Sequence, residues 1–132
     1  MLRLMIKAVH LLIYSDDPPA TRAFLRDVLG WASVQDPNST PPWLIFKSGP
    51  SEMGVHPTTE TYEGKVYSSP RHHSISLMCD DIAATKAELE SKGATFSEDI
   101  EDMGFGLAVN LKLPGADDIL LYQPNGPEAH GL

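Results

Sequence analysis

Apolar positions along the chain fall into two runs of the same design. The first, IKAVHLLIY (residues 6–14), is rich in β-branched and large apolar residues and predicts a strand. It stops at Asp16-Asp17, and the apolar spacing then changes. Ala20, Phe24 and Val28, with Leu25 and Leu29, recur at the period of a helix. An aspartate suits the cap of that helix because its carboxylate accepts from a free backbone N–H. Pro18 suits the first turn, where a missing donor costs nothing. Gly30 is the stop signal. The second run, ISLMC (residues 75–79), ends at Asp80-Asp81. A helix follows in which Ile82, Lys86 and Leu89 share a face, with only the stem of Lys86 buried; Glu88 and Lys92 pair four apart, and Gly93 ends it.

Short strand-like stretches come after each helix: ASVQ, WLIFKSG and SEMGVHP in the first half, ATFSE, GLAVNLKLP and DILLYQP in the second. Gly49-Pro50 and PGADD (114–118) read as tight turns. The two halves are copies. Residues 10–25, HLLIYSDDPPATRAFL, lie over residues 74–89, SISLMCDDIAATKAEL, without a gap at an offset of 64 (74 − 10). Asp16-Asp17 falls on Asp80-Asp81, Ala20-Thr21-Arg22-Ala23 on Ala84-Thr85-Lys86-Ala87, and Leu25 on Leu89. The expected organisation is an α+β fold of two strand–helix–strand–strand–strand modules in tandem. Module one covers 1–57, a polar linker 58–71, module two 72–124 and a tail 125–132. Trp31 and Trp43 are read as core or cleft rim, with core favoured.

A length of 132 residues and a hydrophobic content of 42% fit one domain with a packed interior. The net charge of −8, with no basic run, argues against nucleic acid or an anionic membrane surface as partner. The lone Cys79 cannot form an internal disulfide, and the apolar N-terminus is interrupted by Lys7 and His10. A cytoplasmic setting is expected.

Duplication of this module resembles the vicinal oxygen chelate superfamily, which includes glyoxalase I, bleomycin-resistance proteins and extradiol dioxygenases. The resemblance is carried by HLLIYSDDPPATRAFLRDVLGW, WLIFKSGPSEMGVHP and ILLYQP, in that order and spacing. It implies that the sheets form a half-open barrel around a cleft. In metal-dependent members that cleft holds a divalent ion, such as zinc, nickel, iron or manganese, which acts as a Lewis acid on a substrate anion. It also implies a homodimer.

Carried over by position, the resemblance places His10 as first-strand metal ligand or catalytic base. The repeat maps His10 onto Ser74, a hydroxyl where a second ligand would stand. His73 is one place early, and so on the opposite face of a strand; His72 shares the face of Ser74 but lies two residues back. Leu120 stands where the family carries a ligating glutamate, and leucine has no donor atom. In SEMGVHP, Glu52, Gly54 and His56 share one face, with Glu52 the favoured ligand. The predicted pocket comprises His10, Leu12 and Tyr14 from the first strand, Ser74, Ser76 and Met78 from the second module's opening strand, and Leu120 and Tyr122 from the last. This mixed lining suits a small organic ligand held without metal, by binding or sequestration or by metal-independent chemistry. The alternative is a metal-dependent lyase, isomerase or dioxygenase using His10 with Glu52 or His56, and His72. No cofactor is assigned firmly.

Overall fold

The computed structural model describes residues 10–36 and 43–132. In chain order the elements are α1 (Pro18–Asp27), β1 (Ser33–Asp36), β2 (Trp43–Phe46), β3 (Thr59–Tyr62) and β4 (Lys65–Ser68). There follow β5 (Ser76–Met78), α2 (Ile82–Ser91), β6 (Glu101–Asp102), β7 (Gly106–Leu111) and β8 (Ile119–Pro124). Both helices begin where the double aspartates predict. Asp17 Oδ1 accepts from the Ala20 N–H at 3.3 Å, and Asp81 Oδ1 from the Ala84 N–H at 3.1 Å. Pro18 and Pro19 fill the first turn of α1. Past the helix ends Gly30 and Gly93 take positive φ, as expected of the stop signals.

The second module is a mixed four-stranded sheet in the order β5-β8-β7-β6. β5 runs parallel to β8, and β8–β7 and β7–β6 are antiparallel. This is the expected strand–helix–strand–strand–strand path, because the crossover through α2 lets β5 and β8 run the same way. Residues of the ATFSE stretch contribute a single bridge, Phe96 to Leu111, in place of a strand. One face of the sheet is the core. Val109, Leu111, Ile119 and Leu121 are buried there, and Ile82 of α2 is 2% exposed against Val109 and Leu121. Burying an isoleucine this fully contributes about 1.5–3 kcal/mol. Lys86 lays its stem along this helix: its Nζ sits 5.3 Å from the Phe96 ring centroid and 3.3 Å from the Glu90 carboxylate. The predicted Glu88–Lys92 pair is present at 3.7 Å.

α1 packs on the same core. Phe24 is buried in one cluster with Ala94, Leu111, Leu113 and Ile119, and Val28, Leu29 and Ile13 pack around it. The two halves therefore share an interior. They are also tied through the PGADD turn: Asp16 N–H donates to the Gly115 carbonyl at 2.6 Å, and the buried Thr21 hydroxyl donates to the Pro114 carbonyl. The sheets do not close: β1–β2 and β3–β4 stand as separate hairpins.

Three expectations change in the first half. Of the opening strand, residues 6–9 lie outside the described residues, and His10–Tyr14 forms no strand; no described strand pairs with it. Ile13 packs on the core, while Leu11, Leu12 and Tyr14 are exposed. SEMGVHP also forms no strand. The polar stretch expected as a linker contains the β3–β4 hairpin. Its two-residue turn places Glu63 and Gly64 at positive φ, the geometry that matches strand twist in tight hairpins. Trp31 is half-buried, while the Trp43 side chain lies outside the described residues.

Candidate functional site

The face of the second-module sheet opposite the core is the candidate site. Register sets its membership. Ser76 lies beside Leu120 and Met78 beside Tyr122 across the parallel pair. Asn110 and Ala108 lie beside Leu120 and Tyr122 across the antiparallel pair. Side chains alternate across a strand, so Ser76, Met78, Leu120 and Tyr122 share the face that Leu77 and Leu121 leave. Ser74 precedes β5 and is exposed. The other predicted pocket residues, His10, Leu12 and Tyr14, stand exposed on the separate segment leading into α1.

Tyr122 anchors the floor. Phe105 meets its ring edge-on, at 5.7 Å between centroids and 77° between planes. Burial pushes the Tyr122 hydroxyl above its ordinary range, and the carboxylates of Glu52 and Glu128 push it further the same way. The phenol is therefore a neutral donor near neutral pH. Next to it lies a half-open cleft of ≈ 170 Å³ lined by Met78, Cys79, Asp80, Glu128 and His130. Burial also raises the Cys79 thiol, opposed by a hydrogen bond with Thr85 and assisted by Asp80 and Asp81; its Sγ lies 3.5 Å from the Tyr122 carbonyl.

The polar residues proposed as metal ligands have other partners. Glu52 Oε1 accepts from the backbone N–H groups of Ala129, at 3.0 Å, and His130, at 3.2 Å. His56 Nδ1 is 2.7 Å from the Pro57 carbonyl and its Nε2 3.5 Å from Glu60. His72 Nδ1 is 2.7 Å from the Pro70 carbonyl. Leu120 offers no donor atom on the face where a last-strand ligand would stand. Among the described residues no three of His, Cys, Asp and Glu converge on a point that could hold a metal ion. This donor set does not fit a catalytic divalent ion, which takes about three protein ligands and an open position.

Phe105, Glu128 and His130 were not among the site residues read from the sequence. Phe105 immediately precedes β7, and the long-range pairing of β7 with β8, Gly106 opposite Pro124, brings it to Tyr122. Glu128 and His130 belong to the tail, whose return rests on contacts of Ala129 and His130 with one residue, Glu52, 77 and 78 positions earlier. No short-range pattern signals that return.

The sequence pattern of the Glyoxalase/Bleomycin resistance protein/Dioxygenase superfamily matches residues 7–118. Solved structures share the fold. An antibiotic binding protein, TnmS3, from Streptomyces sp. CB03234 aligns with 93% of this chain and 100% of its own, at TM-score 0.61 and 18% identity. A member of the same superfamily from Sphaerobacter thermophilus DSM 20745 covers 91% of this chain and 99% of its own, at TM-score 0.55 and 24% identity. Lactoylglutathione lyase from Agrobacterium tumefaciens covers 91% and 96%, at TM-score 0.56 and 18% identity. A search of the curated proteins found no match. No helix among the described residues is long and apolar enough to cross a membrane.

Proposed function

The chain belongs to the Glyoxalase/Bleomycin resistance protein/Dioxygenase superfamily, and from that premise we propose that it holds a small organic ligand on the β5–β8 face without using a metal ion. Leu120 carries this reading. It replaces the last-strand donor with an apolar side chain in the middle of the face, between Ser76 and Asn110. Met78, Leu120, Tyr122 and Phe105 supply apolar and aromatic surface; Ser76 and the neutral Tyr122 hydroxyl supply hydrogen bonds. Such lining suits a compound with an aromatic or carbonyl-bearing body. An antibiotic binding protein of this fold is a precedent for sequestration. The family resemblance, rather than any contact in this fold, is what makes His10 the first-module candidate for reaching the ligand.

The ligand-holding form is a homodimer on this reading. Leu12, Tyr14, Val34, Ile45, Met53 and Val55, all from the first half, leave apolar side chains in water. A second copy of the chain would cover such side chains where they lie together, as Val34 and Ile45 do across the β1–β2 pair.

Titration calorimetry with a panel of small aromatic and carbonyl-bearing antibiotics tests the ligand reading. At least one compound is expected to bind the protein after treatment with chelator as tightly as before, and Leu120→Arg is expected to abolish that binding. Binding that disappears with chelation and returns with zinc, nickel, iron or manganese would sink the metal-free reading.

A further inference from the structure

The tail that follows β8 is fastened at two places. At its root the Asn125 N–H donates to the Phe105 carbonyl at 3.1 Å, and Asn125 Nδ2 donates to the Gly104 carbonyl at 2.8 Å. At its far end Glu52 Oε1 accepts from both the Ala129 and His130 N–H groups. Charged acceptors make the stronger hydrogen bonds, and two donors converging on one carboxylate oxygen fix the direction of the chain as well as its distance. Between these fastenings the tail presents Glu128 and His130, joined to each other at 3.1 Å, to the cleft formed with Met78, Cys79 and Asp80. The opposite side of that cleft is the end of β5, whose Met78 stands beside Tyr122.

We infer that residues 125–132 form a strap, latched by Glu52, that builds one wall of the cleft and delivers Glu128 and His130 into it. Glu52 is a positioning residue in this arrangement. Its carboxylate holds backbone across the fold, and its oxygen is committed to that task. A latch of two solvent-accessible hydrogen bonds can open without unfolding the core, because nothing in the buried clusters depends on it. Opening would widen the cleft toward Tyr122 and Phe105, so the strap sets which ligands enter. That last consequence rests on the ligand reading proposed above; the latch itself rests on the hydrogen bonds.

Amide hydrogen exchange on the intact protein separates the two. The Ala129 and His130 amides are expected to exchange slowly in the wild type and about tenfold faster in Glu52→Ala, as loss of a charge-assisted hydrogen bond implies. The buried amides of β7 and β8 should keep their rates. Glu52→Gln retains an amide oxygen, and its acceleration should be smaller. Exchange of Ala129 and His130 at the rate of free peptide in the wild type, or at an unchanged rate in Glu52→Ala, would overturn the latch. The wall is read separately with the dye 8-anilinonaphthalene-1-sulfonate, which reports exposed apolar surface. Its fluorescence is expected to rise several-fold in Glu52→Ala, and equally in Ala129→Pro, which removes a donor but leaves the Glu52 charge in place. Unchanged fluorescence in both variants would overturn the strap as a wall, while failure to find any antibiotic ligand would leave the exchange result standing.

Discussion

Thr21 and Thr85 occupy the same place in their two helices, and each reaches back to the residue six positions before it. Thr21 Oγ1 lies 2.6 Å from Ser15 Oγ, and hydrogen bonding from Thr85 opposes the rise of the Cys79 thiol. The offset is the one that relates the two halves of the sequence: 85 − 21 and 79 − 15 both give 64. The pairs differ in surroundings. Thr21 is buried and donates to the Pro114 carbonyl of the second module, whereas Thr85 is half-buried and stays within its own module. Thr21→Val keeps the shape but strands the Pro114 carbonyl and removes one of the two partners of the Ser15 hydroxyl. It should lower stability by about 1–3 kcal/mol. Thr85→Val should cost less, and urea midpoints at neutral pH compare them directly.

The turn that meets Thr21 depends on Gly115. Its φ is +77°, and a Cβ there would lie 2.6 Å from Ser15 Oγ and 2.7 Å from the Asp17 amide nitrogen. Gly30 has a similar φ, +73°, with nothing near the place of a Cβ. Gly30→Ala should therefore show the backbone cost alone, about 1 kcal/mol, and Gly115→Ala a loss above about 3 kcal/mol, because strain and collision add. Equal losses in thermal unfolding would show that the α1 end and the turn are not in contact.

Alkaline pH should weaken the fold through Cys79 and Tyr122. Both have their protonation equilibria raised by burial above ordinary values of 9.0 and 10.0. A raised group holds its proton more tightly folded than unfolded. The stability it contributes is complete below the ordinary value and is lost as pH rises through the raised one. Unfolding midpoints should hold from neutrality to about pH 9 and fall beyond it. Cys79→Ala should blunt the first part of that fall. The Cys79 thiol should also alkylate slowly at neutral pH, since the thiolate is the reactive form.

Charging the exposed hairpin face tests the dimer. Val34 and Ile45 are cross-strand neighbours between β1 and β2, and both are exposed. Light scattering should give a dimeric mass for the wild type and a monomeric one for the double variant Val34→Asp, Ile45→Asp. A wild-type monomer would remove the homodimer from the proposed function.

Local chemistry made the second module legible. Asp81, the apolar face of α2 and the alternation along Ile119–Pro124 are short-range signals; alternation puts Ser76 with Met78 and Leu120 with Tyr122, and the β5–β8 register joins the two pairs on one face. The β3–β4 hairpin was missed because Thr59–Ser68 is exposed on both faces, and a strand with no buried side has no hydrophobic alternation to read. Its one signal was Gly64 after Glu63 in a two-residue turn. The hydrogen bonds of Glu52 were not legible for a different reason: its partners, Ala129 and His130, offer backbone N–H groups, which every residue but proline carries and no sequence pattern marks.

Phe24 sits among Leu111, Leu113 and Ile119, so a side chain from one repeat completes the interior of the other. A fragment ending before β5 would leave Phe24 in water, and a fragment starting there would leave Leu113 and Ile119 bare. Recombination between relatives is constrained accordingly. A foreign first half can be spliced onto this second half only if its helix presents an aromatic ring of similar size at that spot, whatever ligand either parent carries.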